Sequence, residues 1–126
     1  MAKLPPDTSE DVGAKLEQEL RRGIIVLATL SQLREPQYGY SLRQALAAQG
    51  MPIEEGTLYP LLRRLEGQGL LASEWRIEDG PPRRYYKLSP HGETLFVSLT
   101  QSWRGLVGIV DGLIDDEHTI GKRAST

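Results

Sequence analysis

Apolar residues recur every three or four positions through three successive stretches of the chain, alternate for a short span, and then resume the longer period. In the first stretch Leu16, Leu20, Ile24, Leu27 and Leu30 share one helical face. Thr8 or Ser9 suits the helix cap, Glu10 and Asp11 suit its N-terminal dipole, and Arg34-Glu35-Pro36 ends it. Residues 1–8 read as a disordered lead-in. A second helix is predicted from Tyr40 to Gln49, with Leu42, Ala45 and Leu46 inward and Gly50 and Pro52 at its end. The third follows Gly56. Its Leu58, Leu61, Leu62 and Leu65 form a single stripe, and Gly67 and Gly69 close it. Proline removes a backbone donor, so Pro60 is expected in the first turn.

The period then shortens to two. Leu71 to Ile77 alternates as a half-exposed strand does, Glu78 to Pro82 is turn-rich, and Arg83 to Leu88 is the return strand of a hairpin. Ser89-Pro90 reads as a cap followed by proline at the first helical position. The helix it opens runs to about Ile114, with Phe96, Leu99, Trp103, Leu106, Val110 and Leu113 on a heptad-like seam. Asp115, Asp116 and Glu117 oppose the dipole, so residues 117–126 are expected to form a flexible tail.

Three helices followed by a two-stranded wing is the order of a winged helix-turn-helix. The expected fold is therefore mainly α with a small β-hairpin. Residues 9–88 form the winged unit with its N-terminal helix, and 89–116 form a C-terminal dimerisation helix. The seam leads straight out of the wing, so Leu16, Leu20, Phe96, Leu99, Trp103, Leu106, Val110 and Leu113 are expected at a homodimer interface.

Composition narrows the chemistry. The chain lacks cysteine, which removes disulfides, thiolate metal sites and a cysteine nucleophile, and suits a cytoplasmic location. No apolar run approaches the ~20 residues of a membrane span, and the N-terminus lacks a signal-type apolar region. His91 and His118 stand apart from any carboxylate pair or phosphate loop, so neither catalysis nor a metal or other cofactor is expected.

The net charge of −2 argues against a strongly basic nucleic-acid binder. Between Arg34 and Lys87, however, eight basic residues face seven acidic ones, a net of +1. Any affinity for DNA must then come from the placement of a few arginines. The third helix turns its leucines inward and leaves Thr57, Tyr59, Pro60, Arg63 and Arg64 outward, while the hairpin tip adds Arg83 and Arg84. A helix fits the major groove, where arginine bonds guanine or phosphate and hydroxyls suit phosphate oxygens. The same arginines also suit an ordinary solvated face. A winged-helix module that binds protein rather than DNA is therefore the alternative.

Several of these residues together carry a family resemblance. They are Tyr38-Gly39-Tyr40, the run Gly56-Thr57-Leu58-Tyr59-Pro60-Leu61-Leu62-Arg63-Arg64-Leu65-Glu66, then Gly69-Leu70, Trp75, Gly80-Pro81, Arg84-Tyr85-Tyr86, Leu88 and Gly92. Over about residues 20–114 the chain resembles the PadR family of transcriptional regulators. The resemblance implies a dimeric winged-helix repressor on a pseudo-palindromic, double-stranded operator, relieved by a ligand or another signal. It adds Tyr38 and Tyr40 as candidate phosphate contacts beside Thr57, Tyr59, Arg63 and Arg64. The single last helix resembles the compact subgroup of the family. In that subgroup a tryptophan at the place of Trp103 flanks a flat aromatic effector. Periodicity places Trp103 at an interface, whereas the ligand role comes from the resemblance alone. Gly105, Gly108 and Gly112 suggest either close helix approach or a bend, and weigh against an open pore.

Overall fold

The computed structural model describes residues 9–125, with side chains from 10 to 116. The expected lead-in, 1–8, lies outside the described residues. The chain forms α1 (Ser9–Ser31), β1 (Gln37–Tyr38), α2 (Gly39–Ala48), α3 (Glu55–Gly67), β2 (Leu71–Arg76), β3 (Arg83–Leu88) and α4 (Pro90–Ser125). The three strands make one antiparallel sheet in the order β1-β3-β2.

Helix ends follow local chemistry. Gly50 and Gly69 take positive φ (90° and 82°), which an L side chain resists. At each of them the chain closes with a pair of reversed bonds. Met51 N–H donates to Leu46 O (2.8 Å) and Gly50 N–H to Ala47 O; Leu70 N–H donates to Leu65 O (3.0 Å) and Gly69 N–H to Glu66 O. The Ser89 hydroxyl oxygen caps α4 by accepting the Gly92 N–H at 3.0 Å.

Leucine supplies most of the core. Leu30, Leu33, Leu42 and Leu58 are fully buried, with Leu62, Leu65, Leu71, Tyr86 and Leu88 around them. Each leucine buried there contributes roughly 2 kcal/mol. The α3 stripe is thus the side that faces α2 and the sheet.

Three features depart from the sequence reading. First, α3 starts at Glu55, so Pro60 is its sixth residue and lies beyond the first turn. The bond it forgoes is to the carbonyl of Gly56, which is exposed and open to water. Second, Gln37–Tyr38 adds a third strand to the hairpin by pairing with Tyr85 and Tyr86. Third, α4 continues to Ser125, where a flexible tail from 117 was expected. No proline interrupts that stretch.

The Thr29 hydroxyl is fully buried and is the one buried side-chain polar atom without a partner among the described residues. An unsatisfied buried hydroxyl costs ~1–3 kcal/mol. Thr29→Val, of the same shape, is therefore expected to raise the melting temperature by a few degrees in a calorimetric scan.

Candidate nucleic-acid interface

The helix-turn-helix is held as a unit across its turn. Arg43 on α2 donates to the Ile53 carbonyl (3.3 Å) and pairs with Glu55 at the start of α3 (3.3 Å). Behind α3, four leucines are buried; in front, Thr57, Pro60, Arg63 and Arg64 are exposed. Sequence periodicity alone located this face.

Tyr59 is half-buried, and its ring lies close to Gly39 at the start of α2. A β-carbon on Gly39 would stand only 2.5 Å from Tyr59 Cε1, so glycine there makes room for the ring. Tyr40 is exposed at the start of α2, its hydroxyl accepting a bond from Gln44 Nε2 at 2.9 Å. Tyr38 stacks on Tyr40 and meets Tyr85 edge-on, with ring centroids 6.5 and 5.3 Å apart. Tyr86 is buried and Tyr85 half-buried.

The wing closes the other side. Arg83 is exposed, its guanidinium 4.6 Å from the centroid of the Tyr38 ring. Tyr38, Tyr40, Tyr59, Arg63, Arg83 and Arg84 line one cleft of about 290 Å³ between α2, α3 and the sheet. Six of the nine expected DNA-contact residues therefore converge on a single groove, and Thr57, Pro60 and Arg64 flank it on α3.

Arg84 differs from its neighbours. The sequence places it with Arg83 as a free wing-tip cation, but its guanidinium is bonded inside the protomer. Nη2 donates to Glu66 Oε1 at 2.7 Å, and Nε donates to Ser73 Oγ at 3.0 Å. Ser73 Oγ in turn donates to Glu66 Oε2 at 2.5 Å. Register explains the meeting: Ser73 and Tyr86 are cross-strand partners, as are Trp75 and Arg84, so all four side chains share the sheet face that meets α3. Glu66 and Ser73 were absent from the sequence-derived site, because no local spacing rule pairs residue 66 with residue 84.

The helices outside the winged unit carry a different surface. Leu16, Leu20, Trp103, Leu106, Val110 and Leu113 are all exposed. Phe96 and Leu99 are half-buried and already pack on the protomer's own core, so less of each is left for a neighbour than the seam suggests. Trp103 lines a cleft of about 650 Å³ between α1 and α4, with Leu20, Leu106, Val107 and Val110 among its walls. Gly105, Gly108 and Gly112 have nothing within 4 Å of a notional β-carbon, so they serve no close approach inside the protomer. Among the described residues no helix is long and apolar enough to cross a membrane, and no cluster could hold a metal ion.

A helix-turn-helix braced by a three-stranded sheet, with its second helix exposed, defines a winged-helix protein. The chain belongs to the PadR-like family of transcriptional regulators, whose family model matches residues 26–97. It is 36% identical over 106 residues to transcriptional regulator Rv3488 of Mycobacterium tuberculosis, covering 82% of this chain and 96% of the relative. Among solved structures it is similar to a PadR family transcriptional regulator of Eggerthella lenta, with 48% identity and a TM-score of 0.79, covering 83% of this chain and 94% of that one. It is also similar to a PadR-like transcriptional regulator of Bacillus cereus, with 28% identity and a TM-score of 0.69, covering 76% and 96%. The chain is a transcriptional regulator and not an enzyme.

Proposed function

We propose that the protein is a homodimeric, cytoplasmic repressor that reads a pseudo-palindromic operator with α3. The observation that carries this reading is the exposure of Thr57, Pro60, Arg63 and Arg64 directly opposite four buried leucines. In this reading α3 enters the major groove, Tyr38, Tyr40 and Tyr59 meet backbone phosphates, and Arg83 reaches the flanking groove. Two copies place their recognition helices about 34 Å apart, one turn of B-DNA.

The apolar residues left exposed on α1 and α4 support the dimer, since monomers rarely leave so continuous an apolar surface in water. The cleft beside Trp103 falls within the ~300–1,000 Å³ range of small-molecule sites. It suits a flat aromatic effector of the kind bound by the compact subgroup. An effector that favours one helix spacing over another would change operator occupancy.

The test is selection of bound duplexes from random sequence, followed by mobility shifts over a salt series. Affinity is expected to fall at least a hundredfold between about 50 and 200 mM salt if several phosphates are contacted. A selected site without twofold symmetry, or no shift at low salt, would count against the reading. The net charge of −2 favours the rival, a protein-binding module, and that rival predicts no salt-dependent shift at all.

A further inference from the structure

The ring of bonds joining Glu66, Ser73 and Arg84 adds a polar tie between the recognition helix and the hairpin, beyond the leucine core that α3 and the sheet already share. Glu66 lies in the last turn of α3, Ser73 in β2 and Arg84 near the outer end of β3. Three hydrogen bonds close the ring, and one of them is also an ion pair. Arg84 lies between two aromatic rings as well, 5.9 Å from the Trp75 centroid and 5.5 Å from that of Tyr86. Its guanidinium is therefore held by two hydrogen-bond acceptors with two aromatic rings nearby. The carboxylate and guanidinium remain 27% and 38% exposed, so the pair is a weak source of fold stability. Its geometry links the last turn of the recognition helix to both strands of the wing hairpin.

We propose that Glu66, through Ser73 and Arg84, is a positioning residue that fixes the wing so that Arg83 reaches DNA while α3 occupies the major groove. The inference rests on the DNA-binding reading above. Arg83 carries no carboxylate partner among the described ion pairs and stands one residue from the anchored Arg84. Strand β1 pairs with β3, the Tyr38 ring lies 4.6 Å from the Arg83 guanidinium, and the ring of bonds at Arg84 adds the polar tie from this end of the hairpin to α3.

Charge and position predict opposite signs, which makes the proposal testable. Glu66→Gln removes a negative charge beside a polyanion, so by charge alone it strengthens binding. As a positioning change it weakens operator binding about tenfold. Ser73→Ala breaks the middle of the ring without altering charge, and is expected to weaken binding in the same direction. The decisive readout is a cycle with Arg83→Ala. That substitution lowers affinity in the parent and adds almost nothing once Glu66→Gln or Ser73→Ala is present. Tighter binding by Glu66→Gln, or a full Arg83→Ala effect in either background, overturns the proposal.

A second arm needs no DNA. The Arg84 Nε proton, followed by NMR, is expected to exchange slowly in the parent and rapidly in both variants. A slow proton alongside a parent that fails to bind any duplex would leave the brace standing and remove its role in DNA binding. A rapidly exchanging proton in the parent would remove the brace itself.

Discussion

Alanine at Arg63 and Arg64 together is expected to weaken operator binding about a hundredfold or more while leaving the dimer and the melting temperature unchanged. Both side chains are exposed on α3 and neither contributes to the leucine core, so stability has little to lose. Each arginine that bonds a base or a phosphate contributes ~1–3 kcal/mol, and two at the lower half of that range multiply to this factor. The single variants separate the roles. The arginine that reads a base relaxes sequence preference at one position. The one that clamps a phosphate weakens all duplexes alike and lowers the salt slope by about one. Competition shifts with matched and mismatched duplexes give both quantities. Parent-like affinity in the double variant would remove α3 as the reading element.

The largest effect on stability is expected from Gly92→Ala. Gly92 sits in the first turn of α4 against the chain that leaves α3, and a β-carbon there would overlap the Leu70 carbonyl oxygen and stand 2.9 Å from its carbon. That neighbour is backbone and cannot rotate away. It is also tied to the start of α4, because the Leu70 carbonyl accepts the Ser89 N–H at 3.0 Å and the Ser89 hydroxyl donates to Gly69 O at 2.6 Å. Relief requires α4 to back away from the winged unit, at a cost of roughly 3 kcal/mol. The melting temperature should fall by about 10 °C. Gly105→Ala is the control: the same substitution in the same helix meets open space within the protomer, and helix propensity predicts a gain of up to ~1 kcal/mol there. Equal melting temperatures for the two variants would show that α4 does not sit on Leu70 as described.

How well each feature could be read ahead of the coordinates depended on the range of the interaction behind it. The recognition face was legible because a helix with buried leucines at 58, 61, 62 and 65 has no choice about where residues 57, 60, 63 and 64 point. The hairpin was legible for the same reason, with a period of two. The apolar seam of α4 was legible as a face: Trp103, Leu106, Val110 and Leu113 are exposed along it, whereas Phe96 and Leu99 are half-buried against the protomer's own core. Periodicity reports that a residue is apolar on one face, not which neighbour covers it.

The strand at Gln37–Tyr38 was missed because two residues carry no period, and only the edge of β3 makes them a strand. The sequence reading ends α4 early because three acidic residues oppose the dipole, a weak effect that does not stop a helix by itself.

Local order is therefore written in the chain: the order of helices and hairpin, which side of each helix is apolar, and the glycines that close α2 and α3. These follow from capping, period and turn chemistry, which act over a few neighbouring positions. Tertiary structure alone decided that Arg84 turns inward to Glu66, that Gly39 yields its space to Tyr59, and that Gly92 seats α4 on Leu70. Each of these joins residues 18 or more positions apart, and their distance is set by the packing of whole elements rather than by any rule of spacing along the backbone.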